Sequence, residues 1–189
     1  MRIYHYTTIK TLALILRSKS ILFNRLDQVD DLEESMYPSG PTSINLAKYV
    51  FVSCWSKNKE ENLALWKMYA GYDGIRLSFE SDLFTSYPNV PFNTFQSFYS
   101  SLFHFEKDYC ADQYTNKITL EDVKYVDNPQ YMVNHLITKN SLKSYKIYTR
   151  NLGLYKRKEW YIQNESRFRI IVFPLNFRYI KSYTPSMLN

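Results

Sequence analysis

The chain has 189 residues, 45% of them hydrophobic, which suits one domain with a sizeable core. Four glycines stand against eighteen tyrosines and twelve phenylalanines, and neither G-x-G-x-x-G nor G-x-x-x-x-G-K-[ST] occurs, so glycine loops that cradle phosphates are excluded. The net charge of +6 is uneven: residues 1–106 hold 10 Lys+Arg and 11 Asp+Glu, residues 107–189 hold 14 and 7. A basic half of this kind attracts nucleic acid or a phosphorylated small molecule, and serves equally well as a soluble surface.

Two cysteines, Cys54 and Cys110, make no disulfide framework, and no signal sequence precedes "MRIYHYTT". No apolar run approaches the roughly 20 residues that span a bilayer. The expectation is a cytoplasmic chain without a membrane partner, folded as a single domain over 1–189 with an aromatic-rich insertion around 85–122.

In chain order, "RIYHY" reads as a first strand and "TTIKTLALILRSKS" as an amphipathic helix. Thr7 or Thr8 is its N-cap, and Ile9, Leu12, Ala13 and Leu16 share one face. "ILFNRL" reads as a strand. "DQVDDLEES" supplies five acids, which is a cation-binding loop or, more simply, a solvated one. "KYVFVSCWS" is a strong strand and "ENLALWKMYAG" a helix of about three turns stopped by Gly71. "DGIRLSFE" alternates Ile75, Leu77 and Phe79 against Arg76, Ser78 and Glu80, a half-buried strand. "VKYVD" reads as a strand and "NPQYMVNHLITKNSLKSYKIY" as a helix opened by Asn128 and Pro129. "KEWYIQNESRFRIIV" reads as the last strand, with "FRYIKSY" as a candidate pairing partner. Strands and helices mix without regular alternation, so the class is α+β, with a mostly antiparallel sheet and several flanking helices.

The three histidines, His5, His104 and His135, lack metal-ligand spacing, and no metal is expected. Cys54 lies inside a hydrophobic strand, the usual place of an inert buried thiol. His5 precedes a helix N-terminus, where polar ligand groups are well received; a structural histidine bonded to backbone fits the same position. Trp66 and Tyr69 share a helix face: Trp66 packs, and Tyr69 can pack its ring while its hydroxyl reaches a cleft. On the last strand, Gln163, Glu165, Arg167 and Arg169 point one way at period two. A carboxylate beside a guanidinium stays ionised: a poor general acid, but a good acceptor for sugar hydroxyls and a stabiliser of developing positive charge. The plainer identity of that row is a weak ion pair on an exposed sheet face.

Taken in order, "YHYTTIKTLALILRSKSILFNRLDQVDDLEE", "YVFVSCWS", "LWKMYAGYDGIRLSF" and "YKRKEWYIQNESRFRIIV" resemble the bacterial family called domain of unknown function 2971, over most of the chain outside 85–122. Its closing pattern K-x-x-x-W-x-x-E-x-E-x-R falls on Lys156, Trp160, Gln163, Glu165 and Arg167, with Gln163 in place of the first Glu. The succession of a strand with His, a helix and a late strand with [QE]-x-E is in turn similar to ADP-ribosyltransferase folds. That resemblance implies NAD as substrate, cleaved at the nicotinamide–ribose bond, and an acceptor that is protein or nucleic acid. It assigns Glu165 to the ribose 2′-hydroxyl and Gln163 to the acceptor. It assigns His5 to a ribose, Tyr69 to stacking on nicotinamide, Ser53 to the central serine strand and Arg167 to the pyrophosphate. A role in bacterial conflict is what such transferases imply. The competing expectation is a non-catalytic module that binds nucleic acid or a partner through the basic, aromatic C-terminal half.

Overall fold

Seven residues rich in β-branched and aromatic side chains form β1 (Arg2–Thr8) in the computed structural model, which describes residues 1–36, 45–84, 103–105, 109–112, 118–133, 137–141 and 144–174. The chain turns directly into α1 (Ile9–Ser18), where the Thr8 hydroxyl accepts the Thr11 N–H at 3.2 Å and so satisfies an otherwise orphaned donor. The helix does not sit on the face that its apolar periodicity suggests. Leu12 and Ile15 are half-buried, Ile9 and Leu16 are exposed, and no residue of α1 is buried.

After β2 (Asn24–Arg25), much shorter than "ILFNRL" implies, the acidic segment winds into 3-10 turns at Leu26–Gln28 and Leu32–Ser35. A further 3-10 turn, Leu46–Tyr49, leads into β3 (Val50–Ser56). "ENLALWKMYAG" is not a regular three-turn helix. Asn62 caps a single turn, α2 (Leu63–Leu65), by accepting the N–H of Ala64 at 2.9 Å and of Leu65 at 3.3 Å. The chain then widens into a π-helical turn at Trp66–Ala70, closed by the Gly71 N–H on the Trp66 carbonyl at 2.8 Å, with Gly71 at φ 67°. Single π turns of this kind are rare and often sit at functional positions. The next strand, β4 (Gly74–Glu80), starts directly beneath it, where a Cβ on Gly74 would lie 2.2 Å from the Ala70 Cβ.

Short strands follow: β5 (Phe103–Phe105), β6 (Tyr109–Asp112), β7 (Glu121–Asp122) and β8 (Lys124–Val126). They carry the described part of the 85–122 stretch; the rest of it lies outside the described residues, as does "FRYIKSY". The helix expected from Asn128 onward is replaced by a 3-10 turn, Pro129–Val133, and a hairpin of β9 (Ile137–Ser141) and β10 (Ser144–Ile147). Isoleucines at both strand ends and Thr138 favour extended backbone there. β11 (Tyr155–Arg157), a 3-10 turn at Lys158–Gln163 and β12 (Glu165–Pro174) complete the described chain.

The main sheet runs β4-β1-β3-β12-β6-β5, with β2 also on β3 and β7 also on β12. Its pairings are antiparallel, and β8 with β11 is the parallel pair among the described residues. The fold is therefore mixed α and β, with a mostly antiparallel sheet and fewer helices than expected. No described helix is long and apolar enough to cross a membrane.

Register fixes which side chains share a face. Tyr4 and Glu165 both lie opposite Ser56, Arg167 opposite Cys54, and Phe168 opposite Ser53. One face thus carries Tyr4, Tyr6, Cys54, Ser56, Glu165 and Arg167; the other carries Ile3, His5, Ser53, Trp55 and Phe168. Val50, Val52 and Ile171 extend the first face into an apolar core with Leu26, Leu46, Ala47, Leu152 and Leu154. At its other end Tyr6 packs with Leu65 and Ala70. Ile3, Trp55 and Phe168 form the core of the opposite face.

Candidate functional site

Between the two apolar clusters of the first face lies a buried polar one. Residues 158–163 are not strand, and Asn164, at φ 41°, turns left-handed before β12 begins. Gln163 therefore approaches from the turn rather than along the strand, and still meets Glu165 through a third residue. The Lys156 ammonium donates to Gln163 Oε1 at 2.6 Å and to Glu165 Oε2 at 3.1 Å. Gln163 Nε2 in turn donates to the Tyr69 hydroxyl at 2.7 Å.

Arg167 is fully enclosed, with 1% of its surface exposed. Its Nε donates to Glu165 Oε1, and its Nη2 reaches both Glu165 Oε2 and Glu34 Oε2 at 3.0 Å. Its Nη1 donates to Glu34 Oε1 and, at 3.0 Å, to the Gly153 carbonyl. All five N–H groups of the guanidinium are engaged. Two carboxylates, Glu34 and Glu165, face two cations, Lys156 and Arg167, so the formal charges balance. Burial pulls the Arg167 guanidinium down to about 9, with Arg169 next in effect, and it stays charged at neutral pH.

The acidic segment is only partly solvated: Asp30 and Glu33 are exposed, Asp31 and Glu34 are not. Asp31 and Glu34 are buried because the protein supplies their counter-ions. Arg157 donates to Asp31 at 3.0 Å and pairs with Glu33 at 3.2 Å, while Glu34 meets Arg167 and lies 3.7 Å from Lys156. Among the described residues no group of His, Cys, Asp and Glu is arranged to hold a metal.

Around this cluster the weaker acids are held protonated. Burial, then the negative charges of the neighbouring Asp30 and Glu165, raise the Tyr69 phenol far above its ordinary range. Tyr125, whose oxygen accepts the Glu165 backbone N–H at 2.8 Å, is pushed up to about 12 by its burial. Burial and then the charge of the neighbouring Glu165 carboxylate hold the Cys54 thiol well above its usual value.

Four of the six site residues read from the sequence, Tyr69, Gln163, Glu165 and Arg167, meet on this face. The other two do not. His5 points to the opposite face, its Nδ1 2.9 Å from the Cys54 carbonyl oxygen and its ring 5.1 Å from that of Trp55. Nδ1 therefore carries the proton, and burial lowers the pKa of the ring. Ser53 accepts the Trp55 indole N–H at 2.9 Å on that same face. The sheet pleat separates both from Glu165, and they serve packing. Arg167, expected at a pyrophosphate, has no N–H left to offer one. The exposed-strand ion pair is likewise replaced by a buried one. Sequence reasoning did not place Glu34, Asp30, Cys54 or Lys156 in the cluster. For Lys156 the closing K-x-x-x-W pattern was the available signal; for Glu34 and Asp30 only the density of acids was.

No family model matches the chain, and neither does any curated protein or solved structure.

Proposed function

We propose that the face bearing Tyr69, Gln163 and Glu165 binds NAD and cleaves its nicotinamide–ribose bond, in the manner of an ADP-ribosyltransferase, for transfer to a protein or nucleic-acid acceptor. This extends the resemblance to the domain of unknown function 2971 family. The observation that carries the reading is the 2.7 Å bond between Gln163 and Tyr69, 94 residues apart, which sets an aromatic ring beside the amide–carboxylate pair. Cleavage breaks the bond from the ribose C1′ to the pyridinium nitrogen; its electron pair leaves with neutral nicotinamide, and positive charge builds on the ribose. A carboxylate held in place by Lys156 and Arg167 stabilises that charge without reorganising. Arg167 takes two acceptor positions of Glu165 and Lys156 a third. The remaining one is the position that this reading gives to a ribose hydroxyl. His5, Ser53 and Arg167 make no contact with NAD in this reading. The test is release of nicotinamide from NAD by the purified protein, with a thermal shift on adding NAD. Both are expected for the wild type, and loss of turnover for Glu165→Gln; a wild type without either ends the proposal.

A second reading rests on the burial of the same carboxylate, of which 7% is exposed. Here the cluster is scaffold alone, and function belongs to the exposed surface around Leu63, Tyr161 and Ile162, as a non-catalytic module for a nucleic-acid or protein partner. It predicts salt-dependent binding of single-stranded RNA or DNA that survives Glu165→Gln, and it fails if no such binding occurs.

A further inference from the structure

Lys156 is 2% exposed, comes from the short parallel strand β11, and makes the contact that links Gln163 to Glu165. An ammonium only donates, so the amide atom that faces it is the oxygen. With the oxygen anchored, the nitrogen side of Gln163 is turned toward Tyr69, where its N–H meets the hydroxyl at 2.7 Å. The phenol oxygen is thereby an acceptor toward Gln163. The Trp160 ring closes over the ammonium, 4.9 Å from its centroid, and shields it from water.

We infer that Lys156 is a positioning residue: it locks the amide of Gln163 in one orientation and sets its spacing from Glu165, so that a ligand packed against the Tyr69 ring meets an N–H donor rather than a carbonyl. The ligand atom on that side is accordingly a hydrogen-bond acceptor. For turnover this rests on the NAD reading; for the orientation of the amide it stands alone.

Two measurements keep those apart. The first is the side-chain amide resonance pair of Gln163 in nuclear magnetic resonance, identified by its loss in Gln163→Glu. In the wild type both protons are expected to exchange with water at least ten times more slowly than those of free glutamine. In Lys156→Met the protection falls at least ten-fold. In Glu34→Gln, which removes an ion-pair partner of Lys156 but leaves its bond to Gln163 Oε1 in place, it persists. Protection unchanged in Lys156→Met overturns the inference. Should that variant not fold, unprotected amide protons in the wild type overturn it instead. The second measurement is nicotinamide release. Lys156→Met is expected to lower kcat at least ten-fold with KM within two-fold, whereas a KM effect alone assigns Lys156 to binding and overturns the positioning role. A wild type without turnover removes the NAD reading and leaves the amide measurement to decide on Lys156.

Discussion

Arg167 and Glu34, 133 residues apart in the chain, meet in the protein interior through paired guanidinium–carboxylate bonds, Nη2 to Oε2 at 3.0 Å and Nη1 to Oε1. Removing either partner leaves the buried cluster with an unbalanced charge. Arg167→Leu and Glu34→Gln should each cost about 3–5 kcal/mol. For a chain of this size that is roughly 6–20 °C in thermal denaturation followed by circular dichroism. A change below about 1 kcal/mol in both variants would mean that the pair is hydrated.

Ser53 lies on the face opposite Glu165, so its substitution should separate stability from ligand response. Ser53→Ala leaves the buried Trp55 indole N–H without its acceptor, at a cost of about 1–3 kcal/mol. The thermal shift produced by a saturating ligand should keep its size. Loss of that shift in Ser53→Ala would place ligand on the face that packs Trp55 and Phe168.

Burial lowers the His5 pKa from the ordinary 6.5. The unfolded chain therefore binds a proton on acidification before the folded one does, and folding stability falls as pH drops below about 6.5. The His5 contribution is fully retained above that value. Urea denaturation at pH 7.5 and pH 5.5 should show a loss for the wild type that is smaller in His5→Gln. Equal losses in the two proteins would show that other groups carry the acid sensitivity.

Cys54 is half-buried, yet its thiol is held protonated by burial and by Glu165. The thiolate is the reactive species, so exposure here does not bring reactivity. In a Cys110→Ser background, Cys54 should react with a disulfide reagent at pH 8 at least ten times more slowly than in urea. Fast modification of the folded protein would place the thiol away from the carboxylate.

The strands that share the sheet centre were legible because their residues alternate or are β-branched over seven positions: β1, β3 and β4 lie where the sequence puts them. Thr8 likewise caps α1 as its hydroxyl suggests. What escaped sequence reasoning has specific physical causes. The acids of residues 27–34 look solvated because the cations that neutralise them lie far along the chain, with Arg157 126 residues from Asp31. The period-two reading of residues 163–169 fails at one residue, Asn164, whose left-handed conformation exchanges strand for turn. Gln163 and Glu165 still share a site, because Lys156 rather than the pleat brings them together. His5 was misplaced for the opposite reason: it sits on a regular strand, and regular alternation sends it to the other face.

The Gly153 carbonyl that accepts an N–H from Arg167 gives that side chain a third attachment, besides Glu34 and Glu165. One guanidinium thus joins the acidic segment, the turn before β11 and the start of β12. None of the three can swing outward without giving up a charged hydrogen bond in the interior, so they should open together as one cooperative unit. Backbone amides at Glu34 and Leu154, both donors to turn carbonyls at 3.1 and 3.3 Å, would then share a single hydrogen-exchange free energy despite their separation in sequence.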